Sequence, residues 1–178
     1  MKVCVIGNGL VSLTLANVLI KKDLFVDIYA IKKNDSKDQS RTIGISKSNV
    51  DYFNNEILDI KEILWEIKNI KIYTEKNNKE ELLKFDNKDN QIFSIIRNNE
   101  LHKLLFNKLK KSKFVRFKES YDVDKSKYKL VFNSDPTHPI IKKFFSSKIE
   151  KKYNSCAYTT TIIHKKIKNN TAYQNFTK

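Results

Sequence analysis

Only three glycines occur in 178 residues, and two of them, Gly7 and Gly9, fall on a single turn. The turn follows a short apolar run, Val3-Cys4-Val5-Ile6, and precedes Leu10, Leu13, Ala16, Leu19 and Ile20, which recur at helical spacing. The order is therefore strand, tight turn, helix. The helix is expected to stop near Lys21-Lys22-Asp23, where cations suit its carboxyl end. A second run, Leu24 to Ile31, has the β-branched and aromatic content of a buried strand. Two strands joined through a helix in so short a span make a β-α-β unit, whose parallel strands need a right-handed crossover.

The turn itself, Gly7-Asn8-Gly9-Leu10-Val11-Ser12, follows the dinucleotide fingerprint G-x-G-x-x-G with serine at the third glycine position. Gly7 permits the sharp bend and Gly9 lets the backbone approach a diphosphate. The first N–H groups of the helix, from Leu10, Val11 and Ser12, then face the phosphates with the positive end of the helix dipole. Ser12 is small enough to keep helix and strand close. The same fingerprint asks for an acidic side chain at the end of the second strand, to accept hydrogen bonds from the ribose hydroxyls. That position falls on Ala30, which cannot accept them, and Asp27 points to the opposite face of the strand. The ribose contact is either missing or made by another residue.

The formal charge of +15 rests almost entirely on lysine, since only Arg41, Arg97 and Arg116 are arginines among 35 basic side chains. A reader of bases draws on the bidentate guanidinium, so nucleic acid is not the expected partner. A solvated lysine surface, or attraction to anionic lipid, accounts better for the charge. Cys4 and Cys156 stand far apart with no C-x-x-C spacing, which argues against a disulfide scaffold or cysteine-built zinc site and fits a reducing compartment. No apolar run is long enough to span a bilayer, and the chain enters its first strand without a leader. The expected location is cytoplasmic, with peripheral association at the inner face of the membrane as a further possibility.

Further along, Lys32 to Ser40 reads as loop. An amphipathic helix is expected from about Asn49 to Leu58, and a second short one from Ile60 to Ile67 around Trp65. Ile70–Thr74 and Gln91–Ile96 have strand patterns, with Leu82–Phe85 a third between polar turns, so an antiparallel excursion departs from the parallel sheet. Asn98 or Asn99 then caps a helix with Leu101, Leu104, Leu105 and Leu109 on its apolar face. Phe114–Phe117, Lys129–Phe132, Ala157–His164 and Tyr173–Phe176 read as further strands. His102, His138 and His164 lack metal-ligand spacing and read as surface or helix-face histidines. Asp122 and Asp124 lie in a turn-like segment, and no G-x-S-x-G or Cys–His pattern supports hydrolysis.

Val3 to Ile20, Arg41-Thr42-Ile43-Gly44-Ile45-Ser46, Ile95 to Leu105, and Leu130-Val131-Phe132-Asn133-Ser134-Asp135-Pro136-Thr137-His138 stand in an order and spacing that resembles the flavin-dependent aromatic hydroxylases. The nearest branch is the ubiquinone-biosynthesis hydroxylases, and the likeness continues through Tyr158–Ile163 and Gln174–Thr177. The resemblance implies a Rossmann-like α/β domain that binds FAD, with residues 1–68 and 97–155 forming it. The antiparallel excursion, residues 69–96 with 156–178, would then belong to an incomplete substrate-domain sheet. It implies NAD(P)H as reductant and hydroxylation of a small aromatic quinone precursor. Carried over by residue, Gly7, Gly9 and Ser12 hold the diphosphate, with Leu10 and Val11 on the same helix start, and Arg41 lies beside the flavin and phosphates. Asn98 falls where the family's helix approaches the cofactor, and Asp135 falls on the aspartate of its G-A-D-G segment.

Here that segment reads Asn133-Ser134-Asp135-Pro136, without either glycine. The chain also spans only about half the family's length and lacks its later glycine-aspartate segment. The expectation is a shortened or degenerate member, or one piece of a larger enzyme. A non-catalytic Rossmann-like remnant that meets a membrane or an enzyme partner through its lysines is the competing reading.

Overall fold

The computed structural model describes residues 1–31, 41–74, 81–86, 91–144, 151–165 and 170–176. The expected loop at 32–40 lies outside them. In chain order the elements are β1 (Lys2–Ile6), α1 (Leu10–Ile20), β2 (Phe25–Tyr29), β3 (Thr42–Ser46), α2 (Lys47–Tyr52), β4 (Leu64–Ile67), β5 (Asn69–Thr74), β6 (Glu81–Asp86) and β7 (Phe93–Arg97). They continue with α3 (Asn98–Lys110), β8 (Val115–Lys118), β9 (Leu130–Asn133), α4 (Ile140–Phe144) and β10 (Thr171–Phe176). The chain divides into two compact units, residues 1–39 with 99–159 and residues 40–98 with 160–178.

The first unit is built on a four-stranded sheet of order β8-β2-β1-β9, parallel at every pairing. Val3, Cys4, Val5 and Ile6 are at most 1% exposed, which is why β1 is apolar from end to end with no polar face. Helix α1 makes the crossover from β1 to β2, as the spacing predicts, and buries Leu13 and Ala16. Helix α3 buries Leu101, Leu105 and Leu109, one residue per turn, and leaves Leu104 at the solvent border rather than in the stripe. The two helices meet where the Asn17 amide donates to the main-chain oxygen of Leu105 at 3.3 Å.

The second unit holds two small sheets. One is antiparallel, β3-β7-β4, and the other is mixed, β10-β5-β6, with β5 antiparallel to β6 and parallel to β10. The expected antiparallel excursion is present. Residues 40–68, which the sequence groups with the parallel sheet, fold with this unit because β3 and β4 both pair with β7. The helix expected over Asn49–Leu58 starts at Lys47, where the Ser46 hydroxyl accepts the Asn49 N–H, and widens into a π turn over Phe53–Ile57.

Two expectations fail. No helix holds Trp65: after one 3₁₀ turn, Lys61–Ile63, the chain enters β4, where Leu64 to Ile67 pair with Ile96 to Phe93. Ile60, Leu64 and Ile67 mimic a helical stripe, and cross-strand pairing overrides it. Residues 157–164 form no strand and are exposed throughout, because β-propensity without a hydrogen-bonding neighbour produces no ladder. Among the described residues no helix is long and apolar enough to cross a membrane.

Candidate functional site

Gly7 adopts φ +108°, a conformation that an L side chain rarely takes. A Cβ there would also lie 2.9 Å from the Ser12 hydroxyl and 3.0 Å from that of Ser134. Sequence and geometry therefore agree that only glycine makes this turn. The bend is held from below by the Gly7 N–H, which donates to the Tyr29 carbonyl at 2.7 Å. It is held from the side by Ser12, fully buried and hydrogen-bonded through its hydroxyl to Ser134, whose own N–H donates to the Ile6 carbonyl.

Gly9 differs. Its backbone is extended, and nothing stands within 4 Å of where a Cβ would be. As the residue preceding α1 it offers no side-chain cap, and the first turn of the helix carries no acidic residue. The first N–H groups of α1, at Leu10, Val11 and Ser12, thus start a helix whose positive end is met by no side-chain cap and no acidic residue of its own first turn. Gly7, Asn8 and Gly9 line a cleft of about 190 Å³ with Ala30, Ile31, Tyr121, Ser134, Asp135 and Pro136. A diphosphate fits this corner: the backbone is bare at Gly9 and the helix start has room for an anion. Pro136 contributes no N–H there, and Ala30 contributes no ribose acceptor.

Among the residues singled out by sequence, the structure brings Gly7, Gly9 and Asp135 to one cleft. The Asp135 carboxylate accepts from the N–H and hydroxyl of Thr137, at 2.8 and 2.7 Å, which shapes the loop after β9. Arg41 and Asn98 lie in the second unit, where the Asn98 N–H donates to the Arg41 carbonyl at 3.0 Å.

Sequence reasoning missed two histidines. The His102 Nε2 donates to the Asn8 carbonyl at 2.8 Å, so α3 braces the glycine turn from a position 94 residues away. His138 is 5% exposed rather than on the surface. Its Nε2 donates to the Tyr121 carbonyl while its Nδ1 accepts the Ile140 N–H, which fixes the tautomer. No pattern in the linear sequence marks either role.

A polar cluster also sits inside this unit. The buried Asp27 carboxylate accepts from the Tyr128 hydroxyl at 2.6 Å and pairs with Lys2 at 2.9 Å and Lys118 at 3.2 Å. Tyr29 joins through its hydroxyl, 2.8 Å from that of Tyr128. Burial pushes the Asp27 carboxyl upward, but the bonds from Tyr128, Lys2 and Lys118 outweigh it and hold the group below the usual carboxylate range. Burial and the bond to Asp27 push the Tyr128 hydroxyl above its ordinary value. The Cys4 thiol, desolvated and near the Asp27 charge, is pushed up to about 11. Among the described residues no group of histidine, cysteine and carboxylate side chains is arranged to hold a metal ion.

No protein-family profile and no curated protein matches this sequence. Solved structures do match the fold. PqsL of Pseudomonas aeruginosa in complex with 2-aminobenzoylacetate superposes with a TM-score of 0.63 at 12% identity, over 85% of this chain and 47% of that one. The p-nitrophenol 4-monooxygenase PnpA of Pseudomonas putida matches with a TM-score of 0.52 at 18% identity, over 66% of this chain and 31% of its own. HpxO of Klebsiella pneumoniae, complexed with FAD and uric acid, gives 0.51 at 19%, over 66% and 30%. This chain spans less than half the length of each, and its fold is the one that FAD-dependent monooxygenases of aromatic substrates use over that part of their length.

Proposed function

We propose that this chain is the FAD-holding part of a monooxygenase that hydroxylates a small aromatic substrate, with NAD(P)H as reductant and a quinone precursor as the substrate class. The observation that carries the reading is the bare backbone at Gly9, set at an uncapped helix start within the cleft. The diphosphate of FAD would rest on the N–H groups of Gly9 to Ser12. Gly7 and the Ser12–Ser134 pair keep that corner open, and His102 holds the Asn8 carbonyl out of the way. We assign Asp135 to the flavin end of this cleft, and we propose cofactor contact for Arg41 and Asn98 of the second unit from the family resemblance alone. The bound flavin would supply oxygen transfer from dioxygen; the protein supplies position and a dry surface.

Calorimetric titration with FAD tests this directly. The native chain is expected to bind, and Gly9→Val to lose at least about tenfold in affinity while remaining folded, since a side chain at Gly9 meets no protein atom. Native protein that releases no heat with FAD at any temperature removes the reading.

A second reading, of peripheral membrane binding, is favoured by residues 151–165. Tyr158 and Ile163 are 94% and 98% exposed there, and no acidic residue occurs from Lys151 to Lys178. Lysines flanking exposed aromatic and aliphatic side chains suit an anionic lipid surface. Co-sedimentation with phosphatidylserine vesicles that weakens with salt supports it; equal recovery with neutral vesicles ends it.

A further inference from the structure

The ribose acceptor that Ala30 cannot supply has a replacement one strand away. We infer that Glu119 takes over the recognition of the adenosine ribose, an inference that rests on the FAD reading above. The parallel register pairs Tyr29 with Lys118, and the Ala30 N–H donates to the Lys118 carbonyl at 3.0 Å. One residue further on, Ala30 and Glu119 stand side by side just past the ends of β2 and β8. Adjacent strands lie roughly 4.8 Å apart, within the reach of a glutamate side chain.

Both residues line one cleft of about 230 Å³, shared with Asn8 of the glycine turn. A nucleotide whose diphosphate sits at Gly9 thus has its sugar beside a carboxylate, supplied from β8 instead of β2. His102, Phe106 and Phe117 line the same cleft. The Phe106 and Phe117 rings lie 4.8 Å apart and His102 stacks on Phe106, a surface suited to a planar base beyond the sugar. An alanine at position 30 leaves the space that this longer reach requires.

The test compares ADP with 2′-deoxy-ADP and 3′-deoxy-ADP by calorimetry on the full chain and on Glu119→Ala and Glu119→Gln. The native protein is expected to prefer ADP over at least one deoxy analogue by about tenfold, the size of a hydrogen bond to a charged acceptor. Glu119→Ala is expected to lose that preference, and Glu119→Gln to keep only part of it. The double substitution Ala30→Glu with Glu119→Ala is expected to restore it. A preference for ADP that survives Glu119→Ala overturns the inference while leaving the FAD reading intact. Native protein that binds ADP without discriminating either deoxy analogue overturns it as well. Failure of the native chain to bind both ADP and FAD brings down the underlying reading instead.

Discussion

Strands β1 and β6 are of similar length and have opposite surroundings. Every residue of β1 from Val3 to Ile6 is at most 1% exposed, with a neighbour on each side and a helix crossing over. Every residue of β6 is exposed, and among the described residues it has one neighbour, β5. The difference explains their sequences. A strand enclosed on both faces must be apolar throughout, whereas a sheet edge is protected by charge. In β6 that protection comes from Glu81, which pairs with Lys71, and from Lys84, which pairs with Asp86. The cleft beside the glycine turn belongs to the enclosed sheet, where the Gly7 N–H donates to the Tyr29 carbonyl and the backbone at Gly9 stands bare.

The contrast can be broken most sharply by truncation. Leu13→Ala, on the buried face of α1, is expected to cost about 3 kcal/mol in urea unfolding. Leu83→Ala on β6, half exposed, should cost under about 1 kcal/mol. Equal losses at the two sites would mean that β6 is covered in solution.

Next in size is the acid limb of stability. The Asp27 carboxyl is held below its unfolded value, so its contribution is present in full above about pH 4 and is lost as pH falls through the folded-state value. Asp27→Asn, measured by thermal melting from pH 2 to 7, is expected to lower stability by about 2 kcal/mol near neutrality and to flatten the acid limb. An unchanged slope would show that the Lys2 and Lys118 bonds contribute nothing.

The smallest effect separates the two cysteines. Cys4 is fully buried with its thiol pushed up to about 11, while Cys156 is exposed. A thiol reagent at pH 8 is expected to modify one cysteine in the native protein and both after unfolding. Rapid reaction of both in the native state would show that β1 opens.

Much of the first unit could be read from local pattern: strand, glycine turn, helix and second strand lie within thirty residues, and each is specified by its neighbours. The leucines of α3 and the strands β5, β7, β8 and β9 were equally legible, within a residue or two at their ends. Trp65 was not, because its helical and strand spacings coincide and only the pairing of β4 with β7 chooses between them. The candidate site was legible at Gly7 and Gly9 and silent at His102, His138, Ser134 and Glu119.

What the sequence alone determined is the turn at Gly7, because left-handed backbone is a property of one residue and its immediate neighbours. What only the tertiary structure decided is every contact made across the fold: Tyr128 on Asp27, His102 on Asn8, Glu119 beside Ala30. Those pairs lie tens of residues apart or more. No local rule of propensity or spacing contains the sheet order and register that bring them together, since these are settled by burial of the whole unit at once.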